Sequence, residues 1–263
     1  MRKNQLVFGL IFSGIIAIVI ISCVKDPAAK KVVNPLPVAP PVSFVEEFTN
    51  VGDLASKGWV LRNLSSPVGQ TGWRQGRYES GATSQYKFAG PVPYIGFPGY
   101  SISKSPQDFI SCDVSAVNEG KLSAWLISPV LPIKEGDQIV FFTRAADDSN
   151  YPVYTKDRMQ VRANFSDGTV NLTDTGVGNF SKLLLDINPR YIYNDPSGGQ
   201  GSDGYPRAWR KYTINIDTVP GNSAAAARFA FRYYGNDAGL QGGSAGSNYA
   251  TIVGIDSLAF IRK

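Results

Sequence analysis

The chain has no histidine among its 263 residues. This absence excludes Ser-His-Asp and Cys-His catalytic arrangements, imidazole acid-base chemistry and the common zinc sites that use histidine. Only two cysteines are present, Cys23 and Cys112, and they lie in segments of different character. Cys112 ends a short strand-like run at 109–112, where we expect a small buried residue. We do not expect a reactive thiol there, because no histidine is present to activate it.

An excess of positive charge is also missing from most of the chain, although the formal net charge is +5. Five bases and one acid lie before residue 42: Arg2, Lys3, Lys25, Lys30, Lys31 and Asp26. Removing them leaves 21 bases against 20 acids, a net charge of +1 for the remainder. Because no basic stripe is left among the aromatics, we expect no nucleic-acid partner.

Residues 1–22 have the pattern of a lipoprotein signal peptide. Arg2 and Lys3 precede an apolar stretch at 6–21 that is shorter than a typical membrane span. The stretch ends at Ser22-Cys23, which resembles the bacterial lipobox, where a peptidase cuts before a cysteine that carries diacylglycerol. An uncleaved N-terminal anchor is the alternative. We predict lipidation of Cys23 and attachment to the membrane through this lipid.

Residues 23–42 are predicted to form a flexible stalk. The segment is rich in proline and contains no aromatic residue, which is typical of a semi-extended spacer. Val24-Lys25-Asp26 loosely resembles the surface-export tag of some Gram-negative lipoproteins. We therefore expect a lipid-anchored protein of the outer membrane, at the cell surface or on the periplasmic face.

Residues 43–263 are predicted to form one all-β domain. Aromatic residues are frequent, with 14 Phe, 13 Tyr and 4 Trp, and 27 Gly and 17 Pro separate the apolar runs. Helical periodicity is almost absent. Strand patterns occur at 43–48, 58–61, 124–130, 138–144, 158–164, 182–186, 209–216, 228–234 and 251–261. About nine strands without intervening helices predict a β-sandwich or jelly roll.

Several of these segments together carry a family resemblance. The most specific are Trp125-Leu126-Ile127-Ser128-Pro129 and the closing Gly254-Ile255-Asp256, preceded by Phe44-Val45-Glu46-Glu47-Phe48 and Gly58-Trp59. In this order they resemble the choice-of-anchor J domains, which are relatives of the cleaved-adhesin (haemagglutinin) domains of the gingipain proteases. The resemblance implies a galactose-binding-like jelly roll that serves as an adhesive or carbohydrate-associated surface module.

The resemblance also implies a structural calcium ion. Glu46 in the opening strand and Asp256 in the closing strand lie in positions that resemble the family's acidic pair, and Asn248 could add a side-chain oxygen. Calcium accepts six to eight oxygen ligands in loose geometry. The alternative is that Glu46 and Asp256 are solvated or paired with Arg or Lys.

Three long connections, at 73–108, 188–208 and 235–249, contain many aromatic residues and are candidate binding loops. Sugars place apolar C–H faces on aromatic rings, so we predict that this module binds a glycan or a host or matrix protein. The candidate ligand-binding residues are Trp73, Tyr94, Tyr100, Tyr193, Tyr205 and Trp209. Trp59 and Trp125 are assigned to the core, because both lie in apolar strands.

Two other functions are compatible with the sequence. A glycoside hydrolase would need two carboxyl groups across a groove, and the available acids are Asp147, Asp148, Asp157, Asp186, Asp195 and Asp203. Most of these residues lie in turn-like contexts, so no catalytic residue is assigned and we expect a non-enzymatic protein. An accessory subunit of an outer-membrane glycan-uptake system would share the same anchor and sandwich.

Overall fold

The computed structural model describes residues 43–78, 85–87, 93–95, 97–100, 105–146, 156–173, 176–192, 204–239 and 250–263, with backbone alone at 85–87 and 93–95. The predicted signal peptide 1–22 and stalk 23–42, including Cys23, lie outside the described residues. Tyr193 and Asn248 also lie outside them. Within the described ranges, no helix is long and apolar enough to cross a membrane.

The described part of the chain contains fifteen β-strands and three short 3-10 turns. In chain order the strands are β1 (Phe44–Glu46), β2 (Val60–Asn63), β3 (Ser66–Val68), β4 (Arg74–Gln75), β5 (Gln85–Lys87), β6 (Pro93–Ile95), β7 (Ile110–Asp113), β8 (Val117–Ile127), β9 (Leu131–Lys134), β10 (Gln138–Ala145), β11 (Met159–Asn164), β12 (Lys182–Ile187), β13 (Arg210–Asn215), β14 (Ser223–Ala238) and β15 (Ile252–Ile261).

These strands form two antiparallel sheets and one separate hairpin. The six-stranded sheet has the order β13-β10-β15-β7-β4, with β1 also paired to β15. The seven-stranded sheet has the order β12-β11-β14-β8-β2, with β3 paired to β8 and β9 paired to β14. β5 and β6 pair with each other. The predicted all-β sandwich is confirmed, and the first and last strands, β1 and β15, lie side by side.

The main core forms because alternate residues of the central strands are apolar. In β14, Phe229, Phe231 and Tyr233 are fully buried in this core. Arg228 and Arg232, which alternate with them, belong to the opposite face of the sheet. Trp59 is 4% exposed and packs edge-on against Phe229 at 6.3 Å, which confirms its predicted core position.

A second apolar cluster lies on the outer face of the seven-stranded sheet. Trp125 of β8 is fully buried there with Ile127, Ala230 and Phe180. Phe180 belongs to the segment that precedes β12, and its ring centroid lies 5.8 Å from that of Trp125. The predicted burial of Trp125 is confirmed. Its burial comes from the segment that covers the outer face, whereas Trp59 is buried in the core between the two sheets.

A β-bulge interrupts β15 in the six-stranded sheet. Val140 of β10 pairs with Ala259, whereas Phe142 pairs with Asp256, so β15 contains one extra residue between these two pairs. Ser257 has a φ of 46°, in the left-handed region. An extra residue of this kind reverses the alternation of side chains along the strand. This reversal determines which acidic residues of β1 and β15 share a face.

Candidate functional site

An aromatic patch, formed by Phe97, Tyr100, Phe109, Phe142 and Trp209, lies over the six-stranded sheet. Tyr100 is 44% exposed, and its ring stacks on Phe142 of β10 with centroids 3.8 Å apart and an interplanar angle of 17°. Trp209 packs edge-on against Phe97 and Phe109, with centroid distances of 5.6 and 5.8 Å. The patch therefore presents an accessible tyrosine ring supported by packed rings.

The sheet beneath the aromatic patch has a glycine where the rings approach it. A Cβ atom at Gly254 of β15 would lie 2.9 Å from both Phe97 and Trp209 and 3.1 Å from Phe109. Such contacts are too short for the rings to keep their positions. In addition, Trp209 Nε1 donates a hydrogen bond of 2.9 Å to the Pro98 carbonyl, which ties residues 97–100 to the start of β13.

The chemistry of the aromatic patch suits a flat ligand with apolar C–H groups. Trp209 lies beside Tyr100, with a centroid distance of 6.4 Å and an interplanar angle of 59°. The two rings are therefore neighbours whose planes are not parallel. The Arg144 guanidinium lies 4.4 Å from the Phe97 centroid and adds a polar group at the margin.

Of the six predicted ligand-binding residues, Tyr100 and Trp209 are brought together in this patch. Trp73 is 6% exposed and Tyr205 3% exposed, and both belong to the main core. The Tyr205 hydroxyl lies 2.6 Å from Thr143 Oγ1, beneath the six-stranded sheet. Tyr94 lies in β6, where the structure describes the backbone alone, and Tyr193 falls outside the described residues. Trp73 and Tyr205 thus contribute to packing in the interior.

Glu46 of the predicted acidic pair is buried and already neutralised by a cation. It pairs with Leu258 in the β1–β15 ladder, and Leu258 belongs to the core, so Glu46 faces inward. Its carboxylate accepts hydrogen bonds from Lys57 Nζ at 2.9 Å and from the Phe48 backbone N–H at 3.0 Å. The salt bridge to Lys57 gives Glu46 its own counterion.

Asp256 faces the other side of the same sheet because of the bulge at Ser257. It pairs with Phe142, whose ring lies in the aromatic patch on the outer face. Glu47, the neighbour of Glu46, reaches this side, since its Oε2 accepts a hydrogen bond of 2.8 Å from the Ser257 hydroxyl. Glu47, and not Glu46, therefore shares a face of the sheet with Asp256.

The side-chain oxygens around this junction supply only part of the coordination sphere that a calcium ion needs. Asp256 is fully buried, and its Oδ1 accepts a 2.6 Å hydrogen bond from the Ser257 N–H. Among the described residues, no three His, Cys, Asp or Glu side chains come together in a group that could hold a metal ion. Backbone carbonyls would have to supply the remaining oxygens, which calcium accepts readily.

Two of the acids considered for glycoside hydrolysis are engaged in structural contacts. Asp157 is 1% exposed and accepts hydrogen bonds from the Thr251 N–H and hydroxyl, each at 2.8 Å, and from the Tyr233 hydroxyl. Burial raises the pKa of Asp157, and these hydrogen bonds oppose that rise. Asp186 forms a bidentate ion pair with Arg158. Asp147, Asp148, Asp195 and Asp203 lie outside the described residues.

A groove of about 490 Å³ lies beside β11 and β12. Its walls are mainly amide and hydroxyl side chains with one aromatic ring: Asn164, Phe165, Ser166, Asn179, Ser181, Lys182, Thr218 and Pro220. Asn164 and Asn179 are already held by hydrogen bonds to the Thr169 carbonyl. The groove therefore has one aromatic side chain and two amides that are already engaged, and we favour the aromatic patch.

Sequence reasoning did not identify a group of arginines on the outer face of the seven-stranded sheet. Arg158, Arg162 and Arg232 lie on β11 and β14 or next to them, at alternate positions. The sequence signal was the alternation of polar and apolar residues at 158–163 and 228–233. That pattern predicts one outward face for each strand, but it does not reveal that the two strands are neighbours.

A scan against protein-family models finds no match for this chain, and no curated protein matches it. Among solved structures, the K1 cleaved adhesin domain of Lys-gingipain from Porphyromonas gingivalis W83 is similar, with a TM-score of 0.49, 17% identity and coverage of 85% of this chain and 99% of that chain. The K3 cleaved adhesin domain of the same protein gives 0.44, 17%, 82% and 97%.

A carbohydrate-binding module solved in complex with β-1,4-galactotriose is also similar in structure. Its TM-score is 0.31 at 8% identity, and the match covers 84% of this chain and 88% of that chain. Identities this low bear on the fold alone and transfer no ligand or residue role.

Proposed function

We propose that the protein is a non-catalytic binding module of the bacterial cell envelope that recognises glycans through the aromatic patch. The observation that carries this proposal is the ring of Tyr100, which is 44% exposed and lies flat on Phe142 beside Trp209. An exposed aromatic ring that is held rigidly loses little conformational entropy when a ligand binds. It also offers a polarised face to the C–H groups of a sugar.

The position of the aromatic patch supports this assignment. Arg144 places a cation against the Phe97 ring of this patch. The patch is built from elements distant in the sequence, the segment 97–100, β10 and the residue before β13, so its shape depends on the folded sandwich. A preformed site of this kind suits a module that binds its ligand without a chemical step.

The proposal also includes a lipid anchor at Cys23 and a bound calcium ion. Lipidated Cys23 would hold the module at the outer membrane, and the stalk 23–42 would separate the sandwich from the lipid surface. A calcium ion at Glu47 and Asp256 would join β1 to β15 next to the aromatic patch. The resemblance to choice-of-anchor J domains supports both the surface location and the metal.

The proposal is tested by a glycan array probed with the full-length protein in detergent micelles. The wild-type protein should bind a defined set of glycans, and Tyr100→Ala should weaken that binding by about tenfold or more, which corresponds to about 1.4 kcal/mol. Val68→Ala is the matched control, because Val68 is 59% exposed and lies on β3, which pairs with β8 of the other sheet. It should bind like the wild type.

Two outcomes of this array would contradict the proposal. The first is that the folded wild-type protein binds no glycan, and the second is that Tyr100→Ala binds with unchanged affinity. A thermal melt of each variant verifies that a loss of binding is not a loss of folding.

A further inference from the structure

Five side chains form a row across the outer face of the seven-stranded sheet, which we call the arginine row. The register pairs Asp186 with Gln160, Gln160 with Arg232, Arg232 with Trp125 and Trp125 with Arg62. The row crosses β12, β11, β14, β8 and β2. Directly opposed residues of neighbouring strands point to the same side, so these side chains share one surface.

Two further arginines flank the arginine row, and both have partners. Arg158 donates to Asp186 through Nε and Nη2, at 2.9 and 2.7 Å. Arg162 donates to the Phe180 and Ser181 carbonyls, at 2.8 and 2.9 Å. Asp186 therefore neutralises Arg158, whereas the two carbonyl groups hold Arg162 in position without neutralising it.

Arg232 differs from both, because one of its terminal nitrogens is buried without a partner and its charge has no carboxylate partner among the described residues. It is 4% exposed, and its Nε donates to Ser123 Oγ at 3.0 Å. Its Nη2 is buried and has no hydrogen-bond partner. The guanidinium lies 4.2 Å from the ring centroid of Tyr234 and 5.0 Å from that of Trp125. The two aromatic rings hold the guanidinium in place but leave its N–H groups largely unsatisfied.

The surroundings of Arg232 increase the cost of its charge. Arg158 also approaches the Tyr234 ring, at 5.3 Å, and Lys121 lies 5.8 Å from it. Burial is the main cause that lowers the pKa of Arg232, to about 10, and the like charges of Arg162 and Arg158 act in the same direction. The side chain remains charged at neutral pH, and a buried cation without an anion is costly.

We propose that the outer face of the seven-stranded sheet is a second binding site, in which Arg232 binds a carboxylate or sulfate group of an acidic saccharide. An anion would satisfy the N–H groups that the fold leaves unpaired, and the planar guanidinium suits both oxyanions. Tyr234 is partly exposed and forms the outer wall of this site. The anionic group follows from Arg232 itself, whereas the choice of a saccharide rests on the proposed function.

The test uses calorimetric titration of the full-length protein in detergent at constant ionic strength. The probes are a galacturonate tetrasaccharide, a sulfated galactan tetrasaccharide and neutral galactotetraose, so the arms distinguish carboxylate from sulfate. The wild type should bind at least one acidic probe tenfold or more tightly than the neutral one. In a second series of titrations, raising the salt concentration should weaken the binding of the acidic probes only.

Arg232→Gln should reduce the affinity for the acidic probe at least tenfold, while binding to the neutral array ligands is unchanged. Arg232→Lys keeps the charge but lacks the planar fork, so it should lose part of the affinity and serves if Arg232→Gln does not fold. Lys263→Gln is the matched control, since it removes one charge from an exposed residue that follows β15 of the other sheet. It should bind like the wild type.

Three results would overturn this inference. One is that acidic and neutral probes bind equally, and another is that Arg232→Gln or Arg232→Lys binds the acidic probe as the wild type does. The third is that Tyr100→Ala abolishes binding of the acidic probe, which would assign it to the aromatic patch and leave the proposed function intact. Conversely, the protein could bind no neutral glycan on the array and still bind the acidic probe through Arg232. That result would overturn glycan binding at the aromatic patch and leave this inference intact.

Discussion

Asp157 is a residue whose charge the fold disfavours. It connects Thr251, at the start of β15, with Tyr233 of β14, and thereby joins the two sheets of the sandwich. Burial, the largest cause, raises its pKa above the ordinary value of 3.8. The three hydrogen bonds position the side chain, but they do not fully compensate for the loss of water around a carboxylate.

This environment predicts the direction of a pH effect on stability. Above pH 3.8 the unfolded chain releases the Asp157 proton, whereas the folded protein retains it up to its own higher pKa. Over that interval the folded state binds more protons, so this residue's contribution to stability falls as pH rises. Asp157→Asn should remove the effect, because an amide can accept from the Thr251 N–H and donate to its hydroxyl.

The measurement is urea unfolding of wild type and Asp157→Asn from about pH 4 to pH 8. Relative to the wild type, the variant should become more stable as pH rises. A constant difference in the free energy of unfolding across this range would contradict the raised pKa.

At the scale of single residues, the sequence was informative about burial and less so about surface sites. Trp59 and Trp125 could be assigned to the interior because they lie in apolar strands. Tyr205 lies beside Gly204 and Pro206, a context typical of an exposed turn, yet it is buried with its hydroxyl near Thr143. Turn composition predicts the backbone conformation, but it does not indicate whether the turn packs inward.

At the scale of elements, the segment between β11 and β12 covers the outer face of the seven-stranded sheet. Phe180 is fully buried against Trp125, with Val170, Leu172 and Val177 packed around them. The Phe180 carbonyl also accepts a hydrogen bond from Arg162 Nε. The covering segment therefore seals one end of this face and positions an arginine beside Arg232.

Phe180→Ala should lower the free energy of unfolding by about 3–5 kcal/mol, because the truncation leaves a cavity over Trp125. Leu183→Ala, at an exposed position three residues away, should change it by less than about 0.5 kcal/mol. Chemical denaturation of the three proteins provides the comparison. Equal effects of the two substitutions would show that the segment does not pack as described.

The nine strands predicted from alternation all occur, although their ends differ. β14 (Ser223–Ala238) starts well before the predicted 228, because the alanine-rich residues 224–227 pair with β9. The strands β3, β4, β5, β6 and β9 were not predicted, since two to four residues are too few to establish a period. The bulge at Ser257 was equally invisible, because a local pattern carries no information on the register of partners.

That bulge explains why the acidic pair inferred from family resemblance had to be revised. Counting two residues per strand repeat from Leu258 would place Asp256 on the inner face with Glu46. The extra residue moves Asp256 to the outer face, where Glu47 contacts Ser257.

At the scale of the whole molecule, the calcium proposal predicts that the metal stabilises the sandwich. A ligand that binds only the folded state raises the melting temperature by mass action. The melting temperature should fall on chelation and recover with calcium, but not with sodium at equal concentration. Glu47→Gln and Asp256→Asn should lose this response, and Glu46→Gln should keep it. An unchanged melting temperature in excess chelator, with no metal found by elemental analysis, would rule the site out.

The anchor is a second property of the whole protein. Cys23→Ser should abolish palmitate labelling and release the protein from the membrane fraction, because several acyl chains are needed for stable attachment. The β-sandwich of the released Cys23→Ser protein should melt at the same temperature as that of the wild type. A labelled, membrane-bound variant would show that the lipobox prediction is wrong.

The four tryptophans allow the central claim, glycan binding at the aromatic patch, to be tested in one spectrum. Trp209 lies in the patch, Trp125 beside Arg232, and Trp59 and Trp73 in the core. The measurement is a TROSY NMR titration of the indole N–H signals with the strongest neutral glycan from the array. The Trp209 signal should shift with saturation while the Trp125, Trp59 and Trp73 signals remain in place. A saturable shift confined to Trp125, or binding without any shift of Trp209, would contradict glycan recognition by this patch.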